Sequence, residues 1–300
     1  MPYARSWMSA LGTLALLSSG CQLPGQQGPV PQSLANCRRL SRQGVAALDR
    51  GRQQDAENLL AQAVNACPSD AEARRHYAES LWHRGARQEA LAQMEEAGRL
   101  AGEEDASLWT RLAEMHLAND QSELAQKNAE SALDLDPRLP RAWTIRGRMA
   151  RAAGQPRQAL ADYLRALGYA PNDRELLLEV AELYRQLNQP ERALQTLQTL
   201  ADSYSPGEEP GHVFYLMGLA QLAVERYDDG VESLSVAVQR GKPTTEMFYR
   251  LGEAEFLAGR PRQAAEAARQ ALTLQPEHQP SRELLEQINL AQQLTGTLRK

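Results

Sequence analysis

A small residue recurs at nearly constant spacing along most of this 300-residue chain. Steps of 34 residues predominate, with one step of 35 and one of 37. A fixed period of this size is typical of proteins built from stacked supersecondary units, in which each unit packs mainly on its neighbours. The recurring residues are Ala56, Ala90, Ala125, Ala159, Ala193, Gly230 and Ala264.

The stretch from Pro140 to Asp173 shows one such unit most clearly. It contains two runs with the apolar periodicity of amphipathic helices, separated by a turn at 154–156 that holds both glycine and proline. Pro171 cannot continue the second helix, because proline lacks the backbone N–H that the helix requires. The unit is therefore predicted to be a helical hairpin.

Small and large residues have separate places in this hairpin. Gly147 and Ala159 are predicted to let its two helices approach closely, because neither carries a large side chain. Trp143 and Tyr163 are predicted to fill the space beside that contact. Ala166 is predicted to let the second helix pack on the first helix of the next unit.

These residue types at these offsets resemble the tetratricopeptide repeat, a helix-turn-helix unit of about 34 residues. The resemblance implies an all-α fold, a superhelical solenoid of about seven hairpins. A C-terminal capping helix and tail are expected at 279–300, because the last repeat of a solenoid would otherwise expose its apolar side. The seven predicted units are 37–70, 71–104, 106–139, 140–173, 174–207, 211–244 and 245–278.

The N-terminal segment indicates export. Arg5 precedes a mostly apolar run that is too short to span a bilayer, and this pattern fits a secretory signal over residues 1–20. The residues before Cys21 resemble a bacterial lipoprotein processing site, which implies that Cys21 is lipidated. The alternative is an ordinary signal peptide cleaved near Gly20. Residues 21–36, rich in proline, glycine and glutamine, are then a tether to the membrane.

Two cysteines mark the ends of the first unit. Cys37 opens its first predicted helix and Cys67 closes its second, so the antiparallel arrangement of a hairpin makes them neighbours. Because an exported protein meets oxidising conditions, we expect a Cys37–Cys67 disulfide. The alternative is that both are small buried thiols.

The net charge and the absence of recognised motifs argue against several classes of function. A net charge of −5 argues against a nucleic-acid partner, since such proteins usually present a strongly basic face. We find no motif for metal binding, phosphate binding or nucleophilic catalysis in the sequence. The expectation is a protein that is not an enzyme and has neither a cofactor nor a metal site.

The repeat resemblance also implies a binding surface, because the first helices of such hairpins line a concave groove. Carried onto this sequence, the groove positions include Arg141, Arg148, Arg151 and Trp82. Two interpretations of the arginines remain open. They are either ordinary surface charge or a pocket for an acidic segment of a partner.

The last two units differ in having apolar residues at the groove positions. We call the set Tyr215, Leu219, Leu222, Tyr249 and Phe256 the aromatic face. Aromatic residues are enriched where proteins bind one another, so these five are candidates for partner binding. Alternatively, the superhelix closes here and these residues pack on the C-terminal helix.

The layout of lipidation site, tether and repeats is similar to that of bacterial lipoproteins that support the assembly of envelope complexes. The leading hypothesis is a scaffold that binds an unidentified protein or peptide. It would be held in the bacterial cell envelope by its lipid, and we expect it at the outer membrane, facing the periplasm. The alternative is a structural envelope protein that self-associates into homo-oligomers.

Overall fold

The computed structural model describes residues 32–102, 104–240 and 242–298, with side chains only as far as residue 293. Within these ranges the chain forms fifteen α-helices and no strand. The predicted signal peptide, Cys21 and most of the tether lie outside the described residues. The all-α prediction is confirmed for the part that the structure covers.

The first fourteen helices form seven consecutive hairpins, one for each predicted unit, and α15 follows them. The hairpins are α1 (Gln32–Asp49) with α2 (Gln53–Ala66), α3 (Ala71–Arg84) with α4 (Arg87–Ala101), α5 (Ala106–Leu117) with α6 (Ser122–Leu135), α7 (Pro140–Ala152) with α8 (Pro156–Tyr169), α9 (Arg174–Gln186) with α10 (Pro190–Asp202), α11 (Gly211–Ala223) with α12 (Tyr227–Gln239), and α13 (Thr245–Leu257) with α14 (Pro261–Leu274).

The small residues lie where the two helices of each hairpin meet. A Cβ atom added at Gly147 would overlap the ring of Tyr163, which is fully buried. One added at Gly218 would lie only 2.5 Å from Cγ of Leu234, which is also fully buried. Ala159 is fully buried as well. The predicted close approach of the paired helices is therefore confirmed.

The turns inside the hairpins use the left-handed backbone conformation. Gly154 ends α7 with φ at 71°, a value that glycine adopts without steric cost. Asn188 takes the same conformation after α9, at φ 55°. Asparagine is one of the few other residues that tolerate this region, so the turn between α9 and α10 keeps its geometry without a glycine.

The hairpins stack in chain order, and each second helix packs on the first helix of the next unit. First helices also contact one another directly in several places, including α5 with α7 and α9 with α11. Because helices on the inside of a curved stack are closer together, the first helices lie on the concave side. We call this concave surface, formed by α1, α3, α5, α7, α9, α11 and α13, the inner face.

Both ends of the array differ from the predicted boundaries. The first helix begins at Gln32, so residues 32–36, assigned from sequence to the tether, belong to α1. The last helix, α15 (Gln279–Leu298), extends into the stretch from Thr295 onward that was predicted as a tail. Its Leu284 and Ile288 are buried against α14. The predicted capping helix is thus present, and it is longer than expected.

Candidate protein-binding groove

A cavity of about 580 Å³ opens on the inner face between α5, α7 and the start of α9. Apolar residues form its floor, including Ile145 and Leu176, which are almost fully buried. A second cavity of about 270 Å³ lies beside it and shares Glu114 and Arg141 with it. Together they form one groove with an apolar base and a charged rim, the combination that protein-binding surfaces require.

Arg141 is the exposed cation of this groove. Its side chain is 77% exposed, and its guanidinium lies 3.5 Å from Oε1 of Glu114 on the neighbouring helix α5. An ion pair of this length and exposure contributes little to stability. Arg141 can therefore exchange this contact for a carboxylate of a partner at small cost to the fold.

Arg148 is held more firmly, by carboxylates of the next unit. Its Nε atom donates a hydrogen bond to Oε1 of Glu179 at 2.8 Å, and its guanidinium also pairs with Glu175. The other carboxylate oxygen of Glu179 accepts a 2.6 Å hydrogen bond from the hydroxyl of Tyr163. Burial and this contact raise the pKa of Tyr163 above its ordinary value.

Arg151 also pairs with the next unit, through a 3.4 Å contact to Glu182. Two of the three predicted groove arginines therefore join α7 to α9. For Arg148 and Arg151 the contacts favour a structural role over an open pocket for an acidic segment. Only Arg141, among these three, has a mostly exposed side chain.

Sequence reasoning missed an additional row of charged residues on the inner face. Arg111 of α5 makes a two-pronged pair with Glu79 of α3, with both N–O distances at 2.7 Å, and also contacts Glu114 at 2.8 Å. Arg111 and Glu179 occupy the same place in their units. A usable signal was present, since opposite charges occur about 32 residues apart, at Glu79 and Arg111 and at Arg148 and Glu179.

Trp82, the remaining candidate of the N-terminal half, is partly buried and packs on the core between α3, α4 and α5. The guanidinium groups of Arg87 and Arg111 lie over its ring, at 5.6 and 5.9 Å from the ring centre. These cation–π contacts occupy the ring within the protein itself.

The aromatic face does not form one surface. Tyr249 and Phe256 pack against the cluster that α14 forms with α15, which includes Leu284. The ring of Tyr249 also meets His278 edge-on, with centres 5.5 Å apart. For these two residues the contacts favour the alternative interpretation, in which the C-terminal helix covers them.

The other three residues of the aromatic face lie in seams between units. Tyr215 and Leu219 pack against the cluster that joins α9, α10 and α11, and Leu222 packs where α11, α12 and α13 meet. Burial raises the pKa of Tyr215, and the charge of Glu246 adds to the effect. All three side chains remain partly exposed, so this part of the inner face is apolar but shallow.

Cys37 and Cys67 belong to one apolar cluster in the first unit, and both are free thiols in the structure. The predicted proximity of the two helix ends is present. The disulfide itself stays a prediction.

Buried polar groups elsewhere have partners within the protein. Asp162 is almost fully buried and accepts two hydrogen bonds from Arg146, at 2.6 and 3.0 Å. His116 is buried beside the amide of Gln121, 2.8 Å away.

Among the described residues, no three histidine, cysteine or carboxylate side chains are grouped so as to hold a metal ion. The same part of the chain has no helix with the length and hydropathy needed to span a bilayer.

The fold resembles several solved structures. The peptide-binding tetratricopeptide repeat protein YrrB is 19% identical and has a TM-score of 0.57, over 61% of this chain and 93% of YrrB. A tetratricopeptide repeat protein from Parabacteroides merdae is 16% identical, with a TM-score of 0.56 over 86% and 99% of the two chains. The C-terminal part of a repeat protein from Cytophaga hutchinsonii is 12% identical, with a TM-score of 0.62 over 81% and 98%.

No curated protein sequence matches the chain significantly. Two family descriptions, both of the tetratricopeptide repeat, match residues 41–105 and 215–278 in one case and residues 150–206 in the other. These segments together cover more than half of the chain. The repeat period, the helical hairpins and these matches agree, and the chain belongs to the tetratricopeptide repeat family.

Proposed function

We propose that this protein is a non-catalytic scaffold that binds a protein or peptide partner in the groove between α5, α7 and α9. The observation that carries the proposal is the pairing of an apolar floor with Arg141, whose charge is mostly exposed. YrrB, which has a similar fold, is described as having a peptide-binding site. We expect the partner to be an extended segment with an acidic residue that pairs with Arg141.

The second part of the proposal concerns location. Cys21 would carry a lipid, and the protein would be held at a bacterial envelope membrane, where it supports the assembly of other proteins. The support is the sequence before Cys21 and the proline-rich segment after it. Replacing Cys21 with serine should move the protein from the membrane fraction to the soluble fraction. Retention of the Cys21→Ser variant in the membrane would contradict anchoring by this residue.

Co-purification from detergent-solubilised envelopes tests the groove. The variant Arg141→Glu reverses the exposed charge. Because Arg141 makes only a long, exposed contact to Glu114, the variant should remain folded, and a lost partner then reports on binding. Arg157→Glu makes the same change at an exposed position of the second helix in the same unit, so it serves as a matched control.

A partner that is captured by the native chain and by Arg157→Glu, but lost with Arg141→Glu, supports the groove. A partner retained by both variants places binding elsewhere. In that case Leu219→Glu tests the shallow apolar part of the inner face. If no partner is captured, light scattering over a range of concentrations tests homo-oligomer formation, and a monomer at every concentration rejects it.

A further inference from the structure

The first hairpin holds two thiols that differ sharply in their access to solvent. Cys37, near the start of α1, is fully buried, whereas Cys67, the residue that ends α2, is partly exposed. The two side chains pack in one apolar cluster. In thiol–disulfide exchange, an accessible thiol attacks an external disulfide first, and a second thiol beside it then attacks the mixed disulfide. An exposed cysteine next to a buried one suits these two steps.

Asp70 connects this pair to the next unit. One of its carboxylate oxygens accepts a weak hydrogen bond from Sγ of Cys37 at 3.7 Å. The other accepts a hydrogen bond from the backbone N–H of Ala73 at 2.9 Å and so caps the start of α3. The buried thiol is thereby kept in a defined orientation at the junction of units one and two.

We propose that Cys37 and Cys67 form a thiol–disulfide exchange site, in which Cys67 attacks an external disulfide and Cys37 then completes an intramolecular disulfide. The proposal goes beyond the scaffold function and does not depend on it. It assigns a modification site to the first hairpin and gives each cysteine a distinct role.

The chemistry balances without any other reagent. The thiolate of Cys67 attacks one sulfur of a disulfide R–S–S–R, forms a mixed disulfide, and releases RS⁻. Cys37 then loses its proton to water, and its thiolate attacks the sulfur of Cys67, which releases a second RS⁻. Two protein thiols are oxidised, one external disulfide is reduced to two thiols, and the two protons end on the released thiols or the solvent.

The surroundings of Cys37 predict which step is slow. Burial raises the pKa of Cys37 to about 12, and contacts with Cys67 and the carboxylate of Asp70 add to the shift. Since only the thiolate attacks, the second step should accelerate about tenfold for each unit of pH between 7 and 10. Mixed disulfide should therefore accumulate at neutral pH and disappear at higher pH.

The resulting bond would stabilise the first hairpin, which within the described residues has a neighbouring unit on one side only. In a solenoid, a terminal repeat lacks one of the two interfaces with neighbouring units that an internal repeat has. A bond from Cys37 in α1 to Cys67 at the end of α2 would close most of the first hairpin into a loop. Such a loop restricts the unfolded chain, so the first unit should fray less when oxidised.

The experiment uses the full chain with Cys21→Ser, so that only two cysteines remain, and oxidised glutathione as the external disulfide. Intact-mass spectrometry follows the reaction at pH 7 and at pH 9, with far-UV circular dichroism to confirm folding. The expected sequence is a transient adduct of one glutathione, followed by a product two hydrogens lighter than the starting protein. The adduct should resolve about 100-fold faster at pH 9 than at pH 7.

Single variants separate the two roles. On the same background, Cys37→Ser and Cys37→Ala should hold one glutathione on Cys67 permanently, and Cys67→Ser should react at least tenfold more slowly than either. Two variants at Cys37 are used because serine keeps a donor for Asp70 and alanine keeps the apolar packing. A permanent adduct on the two-cysteine chain, unchanged free thiols, or equal reactivity of the Cys37 and Cys67 variants would each overturn the proposal.

Discussion

Gly218 offers a sharp test of the packing, because a single added methyl group should be destabilising there although it favours the helix. The added Cβ would lie 2.5 Å from Cγ and 3.0 Å from Cδ2 of Leu234, where carbon atoms prefer 3.5 to 4.0 Å. Leu234 is fully buried, so it has little room to move. Overpacking of this kind costs about 1 to 3 kcal/mol.

Helix propensity acts in the opposite direction. Replacing glycine with alanine inside a helix contributes about 1 kcal/mol of stability. The free energy of unfolding should therefore fall by up to about 2 kcal/mol for Gly218→Ala. The matched control is Gly168→Ala in α8, where an added Cβ meets nothing within 4 Å. That variant should be stabilised by up to about 1 kcal/mol.

Urea unfolding, followed by circular dichroism at 222 nm, measures both changes as shifts of the midpoint. A third variant identifies the cause. Leu234→Ala removes the obstructing side chain at a cost of about 2 to 5 kcal/mol, and adding Gly218→Ala to it should then recover about 1 kcal/mol. If Gly218→Ala stabilises the native chain as Gly168→Ala does, the close approach of α11 and α12 is wrong.

Three further predictions use the same unfolding measurement. Asp173 caps α9 by accepting a hydrogen bond from the backbone N–H of Leu176, so Asp173→Ala should cost about 1 kcal/mol, and an unchanged midpoint would contradict the cap. Arg148→Gln should cost about 1 to 3 kcal/mol because it leaves Glu179 partly buried with one fewer partner, whereas the exposed control Arg157→Gln should stay within about 0.5 kcal/mol. In the reduced protein, the raised pKa of Cys37 contributes stability that is complete below pH 9. It is lost as pH rises toward 12, by up to about 1.4 kcal/mol per pH unit, because the unfolded thiol ionises first. Between pH 8 and pH 10, the free energy of unfolding should fall less for Cys37→Ser than for the native reduced protein. Equal decreases in the two proteins would refute the raised pKa of Cys37.

The groove illustrates why partner sites are harder to predict than the fold. Arg141 and Arg148 were both identified from their places in the repeat, and both line the same cavity. Whether each charge is available depends on the neighbouring units, since Arg148 pairs with Glu179 of the next unit and Arg141 lies 3.5 Å from Glu114 of the preceding one. These partners lie 27 to 31 residues away in sequence, and only the rotation between hairpins decides which of them meet.

The aromatic face shows the same limit. The spacing of Tyr249 and Phe256 places them on the inner face of α13, and nothing in that spacing reports how far α15 extends over them. The helix runs from Gln279 to Leu298, and its residues Leu284, Leu285 and Ile288 belong to the cluster on which both rings pack. An apolar groove residue in the last unit can therefore be covered by the capping helix, whereas one in the middle of the array has no such helix over it.

The sequence by itself determined the unit, its length and its internal packing. Small residues such as Gly147 and Ala159 recur because the two helices of one hairpin touch at those points, and that contact involves residues close together in the chain. The tertiary structure decided which inner-face charges are paired and which apolar residues are covered. Those outcomes depend on the rise and rotation between units, which result from many weak contacts across each seam.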